Sequence, residues 1–168
     1  PLIKAVSYLL YASILLHSID GLVLARQNMA ARPAGYVKYN GAANANWSSR
    51  NMALLGTITL LFLIIHLKSF WFEMHFGFVP NWTDAEGNLY KDLYTITVAA
   101  FQQTWYALFY VVAMLGLGLH LWHGFASAFQ TMGWSHPRYT PMIKALGYGF
   151  AIMVPLLFAS IPLYILLT

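Results

Sequence analysis

Three histidines, His17, His66 and His120, each stand inside a long apolar run, a placement that suits imidazoles for gripping a metal centre out of contact with water. The neutral imidazole is the most adaptable of the protein metal ligands, binding iron, copper, zinc or nickel through either ring nitrogen. At mid-bilayer an ionisable side chain costs about 3 kcal/mol or more unless a partner compensates it, and a buried metal cofactor is such a partner. Glycines accompany two of the three: Gly21 follows His17 by four residues and Gly124 follows His120 by four. One helical turn on, each would leave a flat face beside its histidine, against which a planar group could lie. The competing role for such glycines is close helix–helix packing, which is common in membranes.

The elements that must carry these residues follow from composition. With 60% hydrophobic and 8% charged residues and a mean hydropathy of +0.60, the chain cannot cover a water-soluble globule. It reads as an all-α integral membrane protein, a transmembrane helix bundle, because a lone strand in lipid would leave its backbone unpaired. Four apolar segments, about 2–25, 52–72, 104–131 and 141–167, are each near the ~20 residues that span a hydrocarbon core, within a single domain covering 1–168. The connection 26–50 carries Arg26, Arg32, Lys38 and Arg50 with no acid, whereas 80–103 holds Asp84, Glu86 and Asp92 against Lys91. The positive-inside rule puts the first connection in the cytoplasm and the second outside, and Arg138 and Lys144 then fall inside, as four alternating spans require. Trp47, Trp71, Trp82, Trp105 and Trp134 lie near span ends, where indoles favour the interface. Pro155 and Pro162 are expected to kink the last helix. The net charge of +4 is set in loops and reads as membrane orientation, not nucleic-acid binding. With no cysteine, disulfides, iron–sulfur ligation and Cys/His zinc sites within this chain are excluded. No signal peptide is visible, and Pro1 without a preceding methionine points to a processed or truncated N-terminus.

Orientation turns positions into depths. His17 lies about nine residues before Arg26 and His120 about eleven before Thr131, which at ~1.5 Å per residue puts both in the cytoplasmic half at similar levels. His66, about sixteen residues beyond Arg50, lies deeper, towards the outer face. Two cofactor levels are expected, one held by His17 and His120 and one by His66 with another ligand. Haem b suits this better than a bare ion: imidazoles on different helices can ligate iron from opposite faces of a porphyrin, and the spans almost lack the carboxylates a di-iron or manganese site needs. His123 competes with His120, but points about 60° away from it, and Gly116 and Gly124 flank His120 along one stripe. His75 and His136, at or beyond span ends, read as interfacial. Asp20, the acid of the first span, could pair with Arg26, accept a proton from a quinol or contact another subunit; the structural pair is the expectation.

At these residues the chain resembles the dihaem cytochrome b anchor of succinate:quinone oxidoreductases and quinol:fumarate reductases. The resemblance covers essentially the whole chain, through LLHSIDGLVLAR from Leu15, LIIHLKSF from Leu63 and LHLWHGFASAFQTMGW from Leu119. The third stretch is the most specific: the family's ligand histidine is followed by glycine one turn later and by another near the inner helix end, matching His120, Gly124 and Gly133. The resemblance implies a five-span fold, four spans of it visible here, in a bacterial cytoplasmic membrane. It implies two b haems, a proximal one on His17 and His120 and a distal one on His66 with a histidine from an N-terminal helix absent from this sequence. That helix is expected upstream of Pro1, the alternative being a ligand from another chain. Some quinol:fumarate reductases carry a proton-conducting glutamate two residues before the position of His120; Gly118 stands there, so that route is not expected. The implied role is electron transfer without bond chemistry in this chain. A flavoprotein would interconvert succinate and fumarate, an iron–sulfur subunit would exchange electrons with the proximal haem, and a quinone, expected to be menaquinone, would react near the distal one. Arg26, Arg32, Arg138 and His136 are candidate contacts for haem propionates or acidic patches on the iron–sulfur subunit, against the simpler role of topology and lipid-phosphate contact. Two other classes share part of the pattern: a haem b anchor of the nitrate reductase or hydrogenase type, and a haem-free scaffold or transporter.

Overall fold

The computed structural model describes residues 1–31, 40–43 and 45–168; Arg32 and Lys38 of the first basic connection lie outside the described residues. The chain divides into two compact units, Pro1–Thr57 and Ile58–Thr168. Among the described residues four helices are long and apolar enough to cross a membrane, Leu2–Ala30, Met52–Phe76, Thr104–Thr131 and Thr140–Leu167. This is a multi-span helical membrane protein.

The first unit is dominated by α1 (Leu2–Ala30), which buries none of its residues. Its serines are satisfied within the helix: the hydroxyls of Ser7, Ser13 and Ser18 donate to the carbonyls of Ile3, Leu9 and Ile14 at 3.0, 2.8 and 2.8 Å. Polar side chains that bond to their own helix can face hydrocarbon at little cost. The helix runs past the expected end at residue 25, through Arg26, because Arg26–Ala30 contains neither proline nor glycine to stop it. After a single turn at Gly41–Ala43, α2 (Trp47–Arg50) begins at Asn46, whose side chain accepts from the Ser49 N–H at 2.8 Å, a standard N-cap.

The second span is built in three pieces. α3 (Met52–His66) passes into a wide π-helical segment, Leu67–Phe72, and then into α4 (Glu73–Phe76), so it extends beyond the expected end at residue 72. Lys68 bridges this widened stretch, its Nζ 2.7 Å from Glu73 Oε1. The connection expected to be an acidic loop is structured. β1 (Asn81–Thr83) pairs antiparallel with β2 (Leu89–Lys91), Trp82 opposite Tyr90, and the turn is closed by Asp84 Oδ1 accepting from the Asn88 and Glu86 N–H groups at 2.7 and 3.1 Å, with Gly87 at φ 85°. α5 (Leu93–Phe101) follows, capped by Asp92, which accepts from the Thr95 N–H at 3.0 Å and its hydroxyl at 2.7 Å. At ~1.5 Å per residue such a helix is too short to cross a bilayer, so hydropathy alone does not separate it from a loop.

α6 (Thr104–Thr131) and α7 (Thr140–Leu167) pack along their lengths. α7 turns one stripe of small or ring-closed residues inwards, Gly147, Ala151, Pro155, Ala159 and Pro162, all buried; their spacing, four residues and at the last step three, keeps side chains low on one face and lets backbones approach. A Cβ placed on Gly147 would lie 2.6 Å from Phe125 Cδ1, and one on Gly118 would lie 3.2 Å from the Ala151 carbonyl oxygen and 3.6 Å from Pro155 Cγ. Pro155 has no N–H, so Ala151 loses its usual helical donor, and Gly118 meets α7 at that carbonyl. α6 stops at Gly133, φ 76°: Trp134 N–H donates to Phe129 O at 2.8 Å and Gly133 N–H to Gln130 O at 3.0 Å, and the Phe129 and Trp134 rings meet at 6.1 Å. These are the paired bonds and apolar contact of a Schellman stop, and they give Gly133 a purely structural reason to be glycine.

Candidate functional site

His66 ends α3 at the point where the helix widens. Along its own strand of helix it is flanked by Phe62 and Phe70, with ring centroids 5.7 and 5.5 Å away. From α6, Tyr110 reaches it with the hydroxyl 3.3 Å from His66 Nδ1, and Tyr110 in turn lies 3.1 Å, hydroxyl to hydroxyl, from Tyr106 one turn earlier. Phe101 of α5 closes the nest, edge-on to Tyr110 at 4.8 Å. Phe101, Tyr106 and Tyr110 are 5, 8 and 5% exposed, so the hydroxyl pair is shielded from water while the imidazole is half-buried. Sequence reasoning found His66 but not its partners; the signal available was the i, i+4 pair of tyrosines on α6, a polar pair in an otherwise apolar run.

His120 stands on α6 between Leu119 and Leu121, half-buried, with Nδ1 buried. His123 and Gly124 on the next turn are also half-buried. Gly116 proves to be a packing glycine: it is buried, and a Cβ on it would meet Ile58 Cγ2 of α3 at 3.1 Å. His17 and Gly21 belong to the first unit, and His66 and His120 to the second. His17 is exposed along α1 and a Cβ on Gly21 would meet nothing within 4 Å, so that face is open one turn from the imidazole.

No protein-family model, curated protein or solved structure matches this chain. The site is therefore argued from its own residues. Among the described residues no group of three or more His, Cys, Asp or Glu could hold a metal ion, but a haem iron asks the protein for one or two axial ligands and a flat apolar slot. Two features bear on that demand. Tyr110 engages Nδ1 of His66, which leaves Nε2 as the nitrogen that could take a ligand bond, and a Cβ on Gly21, one turn from His17, would meet nothing within 4 Å.

The remaining histidines have structural work. His75 Nδ1 lies 2.8 Å from the Trp71 carbonyl and its ring sits 4.3 Å from the Trp71 ring. His136 Nδ1 accepts from the Arg138 N–H at 3.1 Å, the His136 backbone N–H donates to Thr140 Oγ1 at 2.9 Å, and its ring stacks on Tyr139 at 5.2 Å, bracing the turn into α7. The expected Asp20–Arg26 pair is not formed; the ion pair seen among the described residues is Lys68–Glu73. Six residues apart, Asp20 and Arg26 point to different sides of one helix, about 120° apart. Arg26, Arg50, Arg138 and Lys144 are exposed.

In the connection that carries β1, β2 and the start of α5, two carboxylates are held below the ordinary range: Asp84 by the Asn88 side chain first, and Asp92 by the Thr95 N–H first. Each bond favours the charged form.

Proposed function

We propose that this chain is a haem b-binding membrane anchor of a respiratory oxidoreductase of the succinate:quinone oxidoreductase type, carrying electrons between a soluble iron–sulfur partner and a membrane quinone, with menaquinone the expected carrier. The observation that carries this reading is that three helices long and apolar enough to cross a membrane, α1, the α3 span and α6, bring His17, His66 and His120 into apolar runs, and that one of the three, His66, has a ring nitrogen held by a buried tyrosine. Histidines serving helix packing alone have no need of that arrangement, whereas axial ligands use it to set ring orientation.

In this reading His17 and His120, which the sequence puts at one depth, would hold the proximal haem, and His66 would hold the distal one together with a further ligand. The bound haems supply reversible one-electron chemistry at potentials set by ligation and burial. What the chain itself does is hold, orient and exclude water. Phe62, Phe70 and Tyr110 wall His66 with aromatic carbon, and Gly21 and Gly124 would keep the faces beside His17 and His120 low. Arg26, Arg50, Arg138 and Lys144 offer the inner face a positive surface for an acidic iron–sulfur protein, itself docked to a flavoprotein that performs the succinate and fumarate chemistry. The anchor carries no succinate chemistry of its own, since it has no cysteine and no nucleotide-binding fingerprint.

The test is an optical and redox titration of the purified protein, alone and with its soluble partners. Low-spin b-type bands, reduced by succinate when the soluble subunits are present and not when they are stripped, are expected. A purified protein with no haem absorbance after haem-replete expression, or an isolated anchor that oxidises succinate, would defeat the proposal.

A further inference from the structure

Around His66 the packing and the hydrogen bonding can be separated. The nest of Phe62, Phe70, Phe101, Phe109 and Tyr110 is held by ring contacts, such as Phe62 to Tyr110 at 5.1 Å and Phe70 to Phe101 at 6.0 Å, and a phenylalanine at 110 would fill the same volume. The hydroxyl adds nothing to that packing. On Tyr110, which is 5% exposed, it adds instead a polar atom that must find a partner, at a cost of about 1–3 kcal/mol if it does not. It finds two, His66 Nδ1 at 3.3 Å and the Tyr106 hydroxyl at 3.1 Å.

A phenol can accept one hydrogen bond while donating another. Tyr110 can therefore receive the Nδ1–H of His66 and pass its own proton towards the Tyr106 oxygen, a run in which every bond points away from the imidazole. In the neutral ring only one nitrogen carries the proton, so a proton committed to Nδ1 leaves the lone pair on Nε2. The widening of the helix directly after His66 contributes geometry: it sets Phe70 against the imidazole at 5.5 Å and against Phe101 at 6.0 Å, limiting ring rotation from the side opposite Phe62. Wide turns of this kind recur where a helix must present a functional side chain.

We infer that Tyr110, oriented by Tyr106, is a positioning residue that fixes the tautomer and ring orientation of His66 so that Nε2 is its ligating nitrogen; the inference rests on the reading of His66 as a haem ligand. Tyr110 does not touch the iron. It acts through the imidazole, and its loss affects one haem and spares the other.

The experiment compares wild type, His66→Ala, Tyr110→Phe and Tyr106→Phe in the full native polypeptide in lipid nanodiscs, titrated with haem and read by the low-spin electron paramagnetic resonance signal. The His17/His120 haem in the same molecule serves as the reference. Tyr110→Phe is expected to weaken the His66-dependent haem by about 10- to 100-fold, the usual effect of removing the partner of a ligating histidine, and to move its low-spin signal while the other haem stays unchanged. Tyr106→Phe is expected to do the same to a smaller extent. Wild-type affinity and an unmoved signal in Tyr110→Phe, alongside loss of that haem in His66→Ala, would overturn the positioning role and leave the ligand reading intact. Equal weakening of both haems in Tyr110→Phe would mean a general packing role, and would also overturn it. Equal haem content in wild type and His66→Ala would overturn the ligand reading and the inference together.

Discussion

α1 and α6 have nearly the same length, 29 and 28 residues, and similar apolar composition, yet α1 buries none of its residues while α6 buries Tyr106, Ala107, Tyr110, Ala113, Met114 and Gly116. Within the second unit the packing runs through small residues. α6 meets α7 and α3 through Gly116 and Gly118, against a partner helix striped with Gly147, Ala151, Pro155 and Ala159, whereas the glycine of α1, Gly21, has open space around it. Since lipid is as apolar as leucine, hydrophobicity cannot drive helices together in a bilayer; close backbone approach through small residues can. Apolar length makes a span, and small-residue periodicity makes a packed one.

The sharpest way to break this comparison is to exchange ligand and packing roles along α6. His120→Ala is expected to abolish the inner low-spin haem signal while leaving the outer one at least partly in place, and His123→Ala to spare both, as read in spectra of the purified proteins. The opposite pattern would show that His123 is the ligand.

Glycines of the two regions should respond in opposite ways. Gly147→Leu drives a side chain into Phe125 and should lower stability by about 1–3 kcal/mol, the usual cost of overpacking, visible as a drop in thermal unfolding temperature in detergent. Gly21→Leu, with nothing within 4 Å of its Cβ, should leave the unfolding temperature unchanged but reduce inner-haem content. If Gly21→Leu unfolds the protein and keeps its haem, Gly21 is a packing glycine after all.

A smaller effect is expected where α6 ends. Gly133→Ala forces a side chain into a left-handed backbone conformation at about 1–2 kcal/mol, fraying the Phe129–Trp134 closure, and faster amide exchange at Trp134 would report it.

The smallest effect belongs to the connection that carries β1, β2 and the start of α5. Asp92 has a carboxyl held below the ordinary value, chiefly by the Thr95 N–H. The bond therefore stabilises the start of α5 fully above the unfolded carboxylate pKa, and that contribution is lost as pH falls through the lower folded value. Protection of the Thr95 amide, taken relative to its intrinsic exchange rate, should hold at neutral pH and be lost only in acid, below the ordinary carboxylate range. Asp92→Asn, which retains an acceptor but not the charge, should remove most of that pH dependence.

Much of this architecture was legible along the chain. The four spans could be drawn from apolar length, with ends displaced by a few residues at 30 and 76, because helices continue past the hydrocarbon until a stop signal appears. The positions of His17, His66 and His120 within spans also needed no structure. The Asp20–Arg26 pair was misjudged because the two are close in sequence but not on one helix face. The hairpin and α5 were missed because their stabilising bonds, from Asp84 and Asp92, join polar residues that in a list of composition look like any acidic loop.

What the sequence by itself determined is a membrane protein with four apolar helices and histidines in three of them, since crossing a bilayer depends on local length and composition alone. What only the tertiary structure decided is which small residues pack and which stand open, and that His66 is met at Nδ1 by Tyr110. Their separation of 44 residues is closed only when α3 lies beside α6, and no local periodicity encodes that pairing. A hydrogen bond acts over about 3 Å, so its partners become known only once the helices are packed.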